Sequence, residues 1–418
     1  MLTPVIRNPD APPITVAVTG AGFVARGLIH RLARRASMAP PLVVNRSPER
    51  ALAILERAGY DQDVVVRSDD AAHITDALAS GRPAVTRDAD VLPDVGGLDV
   101  VVEATGAMEY GTRVMLAALA AGRHVVSLNA EVDALLGHHL ASTATQHGVV
   151  YTIADGDQPG VLLRMIDETH HLGLEPVVAL NCKRNLDVHQ SREDSRPYAE
   201  RDGTSVEMTT SFGDGTKMHI ENVVTANLSG LRPPGLGTDG VRTELARVAE
   251  DVRAAGIAAG SVHYTLGGDF GGGVLVLAGS TDPDFDAPYL RYGKLGDGPW
   301  YPLFRPYHLI HMEVPVTIEQ VVAGGPALGR RTERPIAACV AVAKQELQPG
   351  TALDGIGGDT CYGVAAGIDE ADALLPIGLS QHAVLRRAVA ADEPIRREDV
   401  QLDDAAFLVR MHAGPHAA

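Results

Sequence analysis

The chain has 418 residues, of which 45% are hydrophobic and 21% charged, a composition typical of a folded protein with two or three domains. Fifty-three acidic residues against 36 basic ones give a formal net charge of −17, which disfavours binding to nucleic acid or to an anionic membrane. The amino terminus has no apolar core of signal-peptide length, and no later segment has the roughly 18 uninterrupted apolar residues of a membrane span. We therefore expect a cytoplasmic protein with a small-molecule ligand.

A βαβ unit is predicted near the start of the chain. ITVAVTG reads as a short apolar strand, FVARGLIHRLARRA has helical periodicity, and PPLVVNRS reads as a second strand. The intervening turn carries Gly20, Gly22 and Ala25 in the spacing G-x-G-x-x-A, whose glycines allow a tight turn and the close approach of a pyrophosphate to the helix amino terminus. A purely structural turn is the alternative, but the position between strand and helix favours a dinucleotide site that includes Phe23 and Val24.

The end of the second predicted strand selects the nucleotide. NAD-binding units of this type usually place Asp or Glu there for the ribose 2′-hydroxyl, whereas this chain has Asn45, Arg46 and Ser47. An arginine without a neighbouring carboxylate suits a 2′-phosphate. The sequence therefore favours NADP over NAD, the alternative being that Arg46 is only a surface side chain.

Strands and helices continue to alternate up to about residue 155. LDVVVEATG, RHVVSLN and VVYTIADGDQPG read as strands, separated by the helical segments YGTRVMLAALAAG and ALLGHHLASTATQHG. This order predicts a doubly wound parallel sheet, an α/β Rossmann domain over residues 1–155. Ligands of such sheets bind beyond the carboxyl ends of the strands, which points to five residues: Thr105, Gly106, Asn129, Glu131 and Asp157.

The segment SFGDGTKMHIENVVTANLSGL (211–231) predicts a helix that is buried on all sides. If the helix starts after Gly215, Lys217 and Glu221 share a stripe with aliphatic side chains, and the opposite side is no more polar. A buried lysine needs a partner or a chemical task. Glu221 lies one turn after Lys217 and can hold its ammonium group, so a structural ion pair is the alternative to a catalytic one.

Four blocks of the chain resemble the homoserine-dehydrogenase-like family, and in particular its deoxyxylulose-phosphate reductoisomerase-like members. The resemblance runs from about Val16 to the carboxyl end, and the residues that carry it are GDQPGV (156–161), CKRNLD (182–187), SFGDGTKM with ENVVTANLSGL (211–231), and YGKLGDGPWYPLFRPYHLIHMEVP (292–315). The family pairs the Rossmann domain with an α+β catalytic and oligomerisation domain. Here that domain would span residues 156–330, its last part returning to the Rossmann domain.

The resemblance implies an NADP-dependent oxidoreductase, and two features of the sequence bear on its substrate. Homoserine dehydrogenases place an Asn-Lys pair after the fifth strand, whereas LNAEV keeps Asn129 and has Glu131 nearby in place of the lysine. The reductoisomerase-like members are therefore the closer match, with a small polar hydroxy-carbonyl substrate. A homoserine-type dehydrogenase and a non-catalytic nucleotide-sensing protein are the alternatives.

Reduction of a carbonyl by NADPH places negative charge on oxygen, which a cation or a proton donor can stabilise. Lys183 and Lys217 are the candidate cations, with Glu221 as the partner of Lys217. The segment FRPYHLIHMEVP adds Arg305, Tyr307, His308, His311 and Glu313, of which His308 is the candidate for proton transfer. A divalent metal is a further hypothesis, with Asp157, Glu221 and Glu131 as possible ligands.

The last part of the chain changes character from about Pro335. Short strands separated by PG, DG and GG turns predict a small β-rich domain over residues 331–418. KQELQPGTAL and VAADEPIRREDV give this part a resemblance to the SAF domain, the antifreeze-like module of sialic acid synthases. The family resemblance also implies a homo-oligomer that associates through the middle domain.

Overall fold

The computed structural model describes residues 10–268 and 270–414. It divides into two compact units. Among the described residues, one unit consists of 10–157 with 309–328, and the other of 158–308 with 329–414. Over the described residues, no helix has the length and apolar character required to cross a membrane.

The first unit contains a seven-stranded parallel sheet in the order β3-β4-β2-β1-β5-β6-β7, which confirms the predicted Rossmann fold. Its strands are β1 (Val16–Thr19), β2 (Leu42–Val44), β3 (Val66–Arg67), β4 (Ala84–Thr86), β5 (Val100–Glu103), β6 (His124–Ser127) and β7 (Tyr151–Ile153). Its helices are α1 (Phe23–Leu32), α2 (Pro48–Ala58), α3 (Ala71–Ala79), α4 (Met108–Ala120) and α5 (Ala130–Gln146).

Apolar runs explain why the central strands of this sheet form. All residues of β1, β2 and β5 are buried, as expected for parallel strands covered by helices on both faces. Helix α1 buries Ala25, Leu28, Ile29 and Leu32 at helical spacing against this core. The sheet therefore brings the ends of β1, β2, β4 and β5 to one edge, where the glycine turn lies.

The second unit contains a mixed five-stranded sheet in the order β12-β11-β8-β10-β9. Its strands are β8 (Leu174–Lys183), β9 (Val241–Arg242), β10 (Ser261–Leu266), β11 (Val274–Ser280) and β12 (Trp300–Arg305). Its helices are α6 (Gln158–His171), α7 (Arg192–Asp202), α8 (Val206–Gly213), α9 (Thr216–Ser229), α10 (Val248–Ala254) and α11 (Pro283–Tyr292). Strands β8, β9 and β10 are parallel, and β11 and β12 are antiparallel, which makes this an α+β domain.

Helix α9 is the helix predicted from the segment 211–231. Every residue from Thr216 to Leu228 is buried, so the prediction of a helix buried on all sides is confirmed. Both ends are glycines in the left-handed region, Gly215 with φ +83° and Gly230 with φ +84°. Helix α7 lies in the polar segment before α9, where no helix was predicted. A capping box formed by Ser191 and Asp194 defines the start of α7.

The chain returns to the first unit through α12 (Ile310–Val322) and then completes the second unit. The closing segment holds β13 (Ala337–Ala343), β14 (Cys361–Gly367), α13 (Ile368–Ala371), β15 (Ala383–Leu385), β16 (Val400–Leu402) and α14 (Phe407–Ala413). Strands β13 and β14 pair antiparallel, as do β15 and β16. We call residues 329–414 the C-terminal module; it packs in the same unit as the five-stranded sheet, with β13 and β14 against α9.

Candidate functional site

The turn between β1 and α1 fits a pyrophosphate because of its two glycines. Gly20 has φ +106°, and a Cβ built there would lie 2.8 Å from the carbonyl oxygen of Ala104, so only glycine fits. Gly22 precedes α1 with extended backbone, and a Cβ built there would have no heavy atom within 4 Å. No side chain caps the amino terminus of α1. The first backbone N–H groups of α1 are therefore available to an anion.

A cavity of about 600 Å³ lies next to this turn, in the first unit. Its wall is formed by the ends of β1, β2, β4 and β5 and the segments that follow them. The wall contains three arginines and no aspartate or glutamate, and consists of Gly20, Ala21, Gly22, Val44, Asn45, Arg46, Ser47, Arg50, Arg87, Ala104, Thr105, Ala107 and Tyr110. In a chain with a net charge of −17, this is a local excess of positive charge.

The segment that follows β2 is held by its own polar side chains, which leaves the arginines exposed. The backbone N–H of Ser47 donates to Oδ1 of Asn45 at 2.9 Å, and Ser47 precedes α2 as its N-cap residue. The side chains of Arg46 and Arg50 are exposed and make no hydrogen bond or ion pair with any other described residue. Their guanidinium groups can therefore bind an external anion without breaking an internal contact.

Glu103, the last residue of β5, is a fully buried carboxylate beside the cavity. The backbone N–H of Thr105 donates to its Oε1 at 2.9 Å, and the Thr105 hydroxyl donates to the same oxygen. Burial raises the pKa of Glu103, while the hydrogen bonds from Thr105 act in the opposite direction. Because its hydroxyl also accepts from the N–H of Ala107 at 3.1 Å, Thr105 is fixed in the cavity wall.

The predicted cofactor residues fall into two groups. Gly20, Gly22, Asn45, Arg46, Ser47 and Thr105 line the cavity. The wall does not include Phe23, Val24, Gly106 or Asn129. Phe23 and Val24 are the first residues of the uncapped helix α1. Their backbone N–H groups, rather than their side chains, are therefore the candidates for binding the pyrophosphate. Asn129 is fully buried and caps α5, its Oδ1 accepting from the N–H of Val132 at 3.2 Å.

Sequence reasoning missed other members of the cavity wall, notably Arg50, Arg87 and Tyr110. Arg87 directly follows β4, a short strand that the sequence analysis does not predict. The rule that ligands bind beyond strand ends would have identified it once that strand was recognised. Arg50 lies in the first turn of α2, close after Arg46 in sequence.

The second unit holds the predicted catalytic lysines. Lys217 is 5% exposed and Glu221 1% exposed, one helical turn apart on α9. Asn222 accepts a hydrogen bond from Nδ2 of Asn181 on β8 at 2.7 Å, and both side chains are buried. The helix therefore carries charged and amide side chains into the interior of the unit, where each interaction is stronger than at the surface.

Lys183 ends β8 and is the more accessible of the two lysines. Its Nζ donates to Oε1 of Gln158, the buried first residue of α6, at 2.9 Å and lies 5.9 Å from the ring centre of Phe212. Gln158 belongs to the block GDQPGV that carries the family resemblance, but its role as the partner of Lys183 was not predicted. Asp157, the residue before it, is buried.

The histidines have different environments. Burial lowers the pKa of His219 to about 3, so this residue on α9 is neutral and packs against the ring of Tyr264.

His308, the candidate for proton transfer, follows β12 and is half-buried. His311 packs against α1, where a Cβ at Gly27 would lie 2.6 Å from its ring, which indicates a structural role. Arg305 stacks on Tyr307, its guanidinium 4.9 Å from the ring centre.

A divalent metal needs several oxygen or nitrogen ligands from one place. Among residues 10–268 and 270–414, no group of three or more His, Cys, Asp or Glu side chains is arranged to hold a metal ion. The predicted ligands Asp157, Glu131 and Glu221 therefore do not form such a group within the part of the chain that is described.

Family models match the two parts of the chain that the geometry separates. Residues 20–153 match the NAD binding domain of homoserine dehydrogenase, and residues 156–314 match the catalytic domain of oxidoreductase DRL. No significant match was found among curated proteins.

Three solved structures that match this chain are remote from it in sequence. A probable dehydrogenase from Thermotoga maritima has 12% identity and a TM-score of 0.41, over 76% of this chain and 91% of that one. An apo scyllo-inositol dehydrogenase from Lactobacillus casei has 12% identity and a TM-score of 0.42, over 76% and 90%. The 1-deoxy-D-xylulose 5-phosphate reductoisomerase from Zymomonas mobilis in complex with NADPH has 14% identity and a TM-score of 0.39, over 75% and 82%. Identities this low do not define a substrate.

The glycine turn, the cavity and the matching family domains define the class of the protein: it is an NAD(P)-dependent oxidoreductase. More particularly, residues 20–153 match the NAD binding domain of homoserine dehydrogenase, and residues 156–314 match the catalytic domain of oxidoreductase DRL. The predicted nicotinamide cofactor and the predicted family are thus confirmed.

Proposed function

We propose that the protein is an NADP(H)-dependent, reductoisomerase-like oxidoreductase that acts on a small polar hydroxy-carbonyl compound, including phosphorylated ones. The observation that carries the proposal is the cavity wall with three arginines and no carboxylate beside the glycine turn. An NAD site of this fold would place an acidic residue where this wall has Arg46.

The arginines support the choice of NADP by their charge and by their geometry. A guanidinium group binds a phosphate through two parallel hydrogen bonds, and Arg46, Arg50 and Arg87 can share the oxygens of one 2′-phosphate. Without that phosphate, the guanidinium groups of Arg46 and Arg50 have no anionic partner among the described residues, whereas Arg87 is paired with Asp69. NADPH therefore gains contacts that NADH cannot make.

The proposed roles of the other residues follow from the chemistry of carbonyl reduction. The nicotinamide supplies the hydride when bound. The ammonium group of Lys183 or Lys217 stabilises the negative charge on the carbonyl oxygen, and Glu221 orients Lys217. His308 donates a proton to the alkoxide oxygen that hydride addition leaves, which gives the alcohol. Thr105 and Asn129 would support the nicotinamide end of the cofactor, and Asp157 would contact the substrate.

A titration followed by a substrate panel tests the proposal. We expect NADPH to bind more tightly than NADH, measured by fluorescence titration of the purified protein. Phosphorylated and unphosphorylated ketoses and hydroxy-aldehydes, including 1-deoxy-D-xylulose 5-phosphate, are then screened for oxidation of NADPH by absorbance. Failure of the protein to bind either nucleotide would overturn the proposal.

Lys217→Ala tests the assigned cation with the substrate found in that panel. We expect loss of turnover with unchanged NADPH binding, because Lys217 lies in the DRL domain and not in the NAD-binding domain. Lys217→Met, which keeps the volume of the side chain, separates the loss of charge from the loss of packing. Near-normal turnover in both variants would remove Lys217 from the mechanism.

The two alternative functions make different predictions in the same assays. A homoserine-type dehydrogenase would oxidise homoserine in the presence of NADP or NAD and would ignore the ketoses. A nucleotide-sensing protein would bind NADPH and turn over no carbonyl compound. The buried Lys217 and Glu221 favour an enzyme, because charged groups without a task in a buried helix cost more than apolar ones.

A divalent metal is a separate hypothesis, and it does not rest on the three carboxylates considered above, which form no metal-binding group in the described part of the chain. Turnover is measured after treatment with EDTA and again after addition of Mg²⁺ or Mn²⁺. Loss of activity that the metal restores supports the hypothesis, and unchanged turnover disposes of it.

We further propose that the C-terminal module is an SAF-like domain, that the protein is cytoplasmic, and that it forms homo-oligomers through the DRL domain. The module supports the first point by its short antiparallel strand pairs. Light scattering coupled to size-exclusion chromatography tests the last.

A further inference from the structure

The C-terminal module contacts helix α9 at both of its ends. Near the carboxyl end, Oδ1 of Asn227 accepts from the N–H of Ile336 at 2.8 Å, and its Nδ2 donates to the carbonyl of Ala337 at 3.1 Å. At the amino end, Oγ1 of Thr216 accepts from the N–H of Gly363 at 2.8 Å. These bonds fix α9 along its axis, and nothing in the family domains that match the chain assigns a role to the module.

A buried ion pair completes the contact at the amino end. Nζ of Lys344 lies 2.8 Å from Oδ2 of Asp214, and the side chains are 3% and 0% exposed. The same Nζ donates to the carbonyl oxygens of Gln190 at 2.8 Å and Gly358 at 2.7 Å. An ammonium group has three donors, so Lys344 is fully used within the unit and has no capacity to bind a ligand.

The ion pair is better explained by orientation than by stability. A buried pair must compensate for the desolvation of both charges, and apolar residues of similar size are often at least as stable. What the pair adds is direction, because three acceptors define the position of one ammonium group. Its carboxylate partner transmits that position to α9, since Oδ1 of Asp214 accepts from the N–H of Thr216, the first residue of the helix, at 2.8 Å.

Only two residues, Gly215 and Thr216, lie between Asp214 and Lys217, and this short segment has little freedom. Gly215 has φ +83°, and a Cβ there would lie 2.6 Å from Leu186, so the turn is closely packed. A shift of Asp214 therefore moves the first turn of α9 and with it the backbone of Lys217.

We propose that Lys344 of the C-terminal module is a positioning residue that, through Asp214, sets the place of the Lys217 ammonium group. The inference rests on the proposed role of Lys217 in carbonyl reduction. It gives the module a task within its own chain: to hold the helix that carries the reacting cation.

The test replaces both charges at once, because Lys344→Met alone leaves a buried unpaired carboxylate and can prevent folding. In Asp214→Asn/Lys344→Met the amide keeps the acceptor for Thr216, and the two charges are gone. Arg192→Gln is the matched control, since Arg192 joins α7 to the same module through Asp354 and Asp359, at 2.9 and 2.8 Å. Circular dichroism and the unfolding midpoint establish that each variant is folded.

The first measurement needs no substrate. Acetic anhydride labels free amines, and mass spectrometry of the peptide that contains Lys217 gives its labelling rate as a function of pH. We expect the labelling profile of Lys217 to change in the double variant and to stay as in the wild type in Arg192→Gln. With a substrate from the panel, kcat of the double variant should fall about 10- to 100-fold while the Kd of NADPH stays constant.

A folded double variant with the wild-type Lys217 profile and kcat overturns the inference, as does an equal loss in Arg192→Gln, which would indicate general loosening of the module. Lys217→Ala separates this failure from failure of the proposed function. If that variant is inactive while the double variant behaves as wild type, only the positioning role is lost. If Lys217→Ala retains turnover, the assignment of Lys217 itself is wrong.

Discussion

Asp69 holds Arg87 at two points. The backbone N–H of Arg87 donates to Oδ1 of Asp69 at 3.0 Å, and its Nε donates to Oδ2 at 2.7 Å. The Thr86 hydroxyl donates to the same carboxylate at 2.8 Å, and the hydrogen bonds from Thr86 and Arg87 lower the pKa of Asp69. The two terminal nitrogens of Arg87 donate to no other described residue, so the guanidinium group is oriented on one side and available on the other.

This arrangement predicts that Arg87→Gln lowers the affinity for NADPH more than that for NADH. Hydrogen bonds to a charged group contribute about 1.5–3 kcal/mol, so we expect the KM for NADPH to rise about 10- to 100-fold. The measurement is the ratio of kcat/KM for the two coenzymes. Arg67→Gln, an exposed arginine on β3 outside the cavity, serves as the control and should leave the ratio unchanged. An unchanged ratio in Arg87→Gln would contradict the 2′-phosphate assignment.

Gly20→Ala should abolish nucleotide binding in a protein that still folds. A side chain at this position meets the carbonyl of Ala104 at 2.8 Å and requires a backbone with φ +106°. Gly59→Ala is the matched control, because Gly59 has φ +104° but no heavy atom within 4 Å of the added Cβ. Backbone strain should cost both variants about 1–3 kcal/mol of unfolding free energy.

The two variants are compared by urea unfolding and by NADPH titration. Only Gly20→Ala should lose NADPH binding, because only there does the methyl group displace the end of β5 beside the cavity. Equal affinity of both variants for NADPH would show that the turn does not contact the coenzyme.

Glu103 should make the protein less stable as the pH rises. Burial raises its folded pKa above the ordinary value of 4.5, so its stabilising contribution is complete below that pH and is lost as the pH rises through the folded pKa. Glu103→Gln removes this loss. The difference in unfolding free energy between the variant and the wild type should therefore shift in favour of the variant as the pH rises. Urea unfolding across this range measures the difference, with the exposed Glu56→Gln as control. Parallel pH profiles for wild type and Glu103→Gln would argue against the buried acid.

His219 should have the opposite effect. Burial lowers its folded pKa from 6.5 to about 3, so the fold loses stability as the pH falls below the unfolded value. Near pH 5 the loss amounts to about 2 kcal/mol. His219→Gln should reduce this loss in urea unfolding at about pH 5 relative to about pH 7. The exposed His73→Gln is the control, and an equal acid sensitivity in His219→Gln and wild type would contradict the prediction.

Much of the fold is encoded in local patterns. The glycine spacing after β1, the apolar strands and the helix with no polar face determined the Rossmann domain and the buried helix α9, because backbone geometry and burial act over a few residues. The short strands β3 and β4 were not predicted, since runs of two or three residues carry too little periodicity. The helix α7 was missed because its composition is polar, and its capping box rather than an apolar face defines it.

The sequence by itself indicated the nicotinamide coenzyme and a glycine turn at Gly20, because strand, turn and helix are consecutive in the chain. Only the tertiary structure decided that Arg87 joins Arg46 in one wall, that Gln158 meets Lys183, and that Lys344 meets Asp214 across 130 residues of sequence. Such contacts depend on how strands and helices that are distant in sequence pack together. Local residue spacing therefore does not predict which buried charged groups will pair. The nicotinamide coenzyme could therefore be predicted from a motif, whereas the surroundings of the candidate lysine Lys217 could be described only from the folded chain.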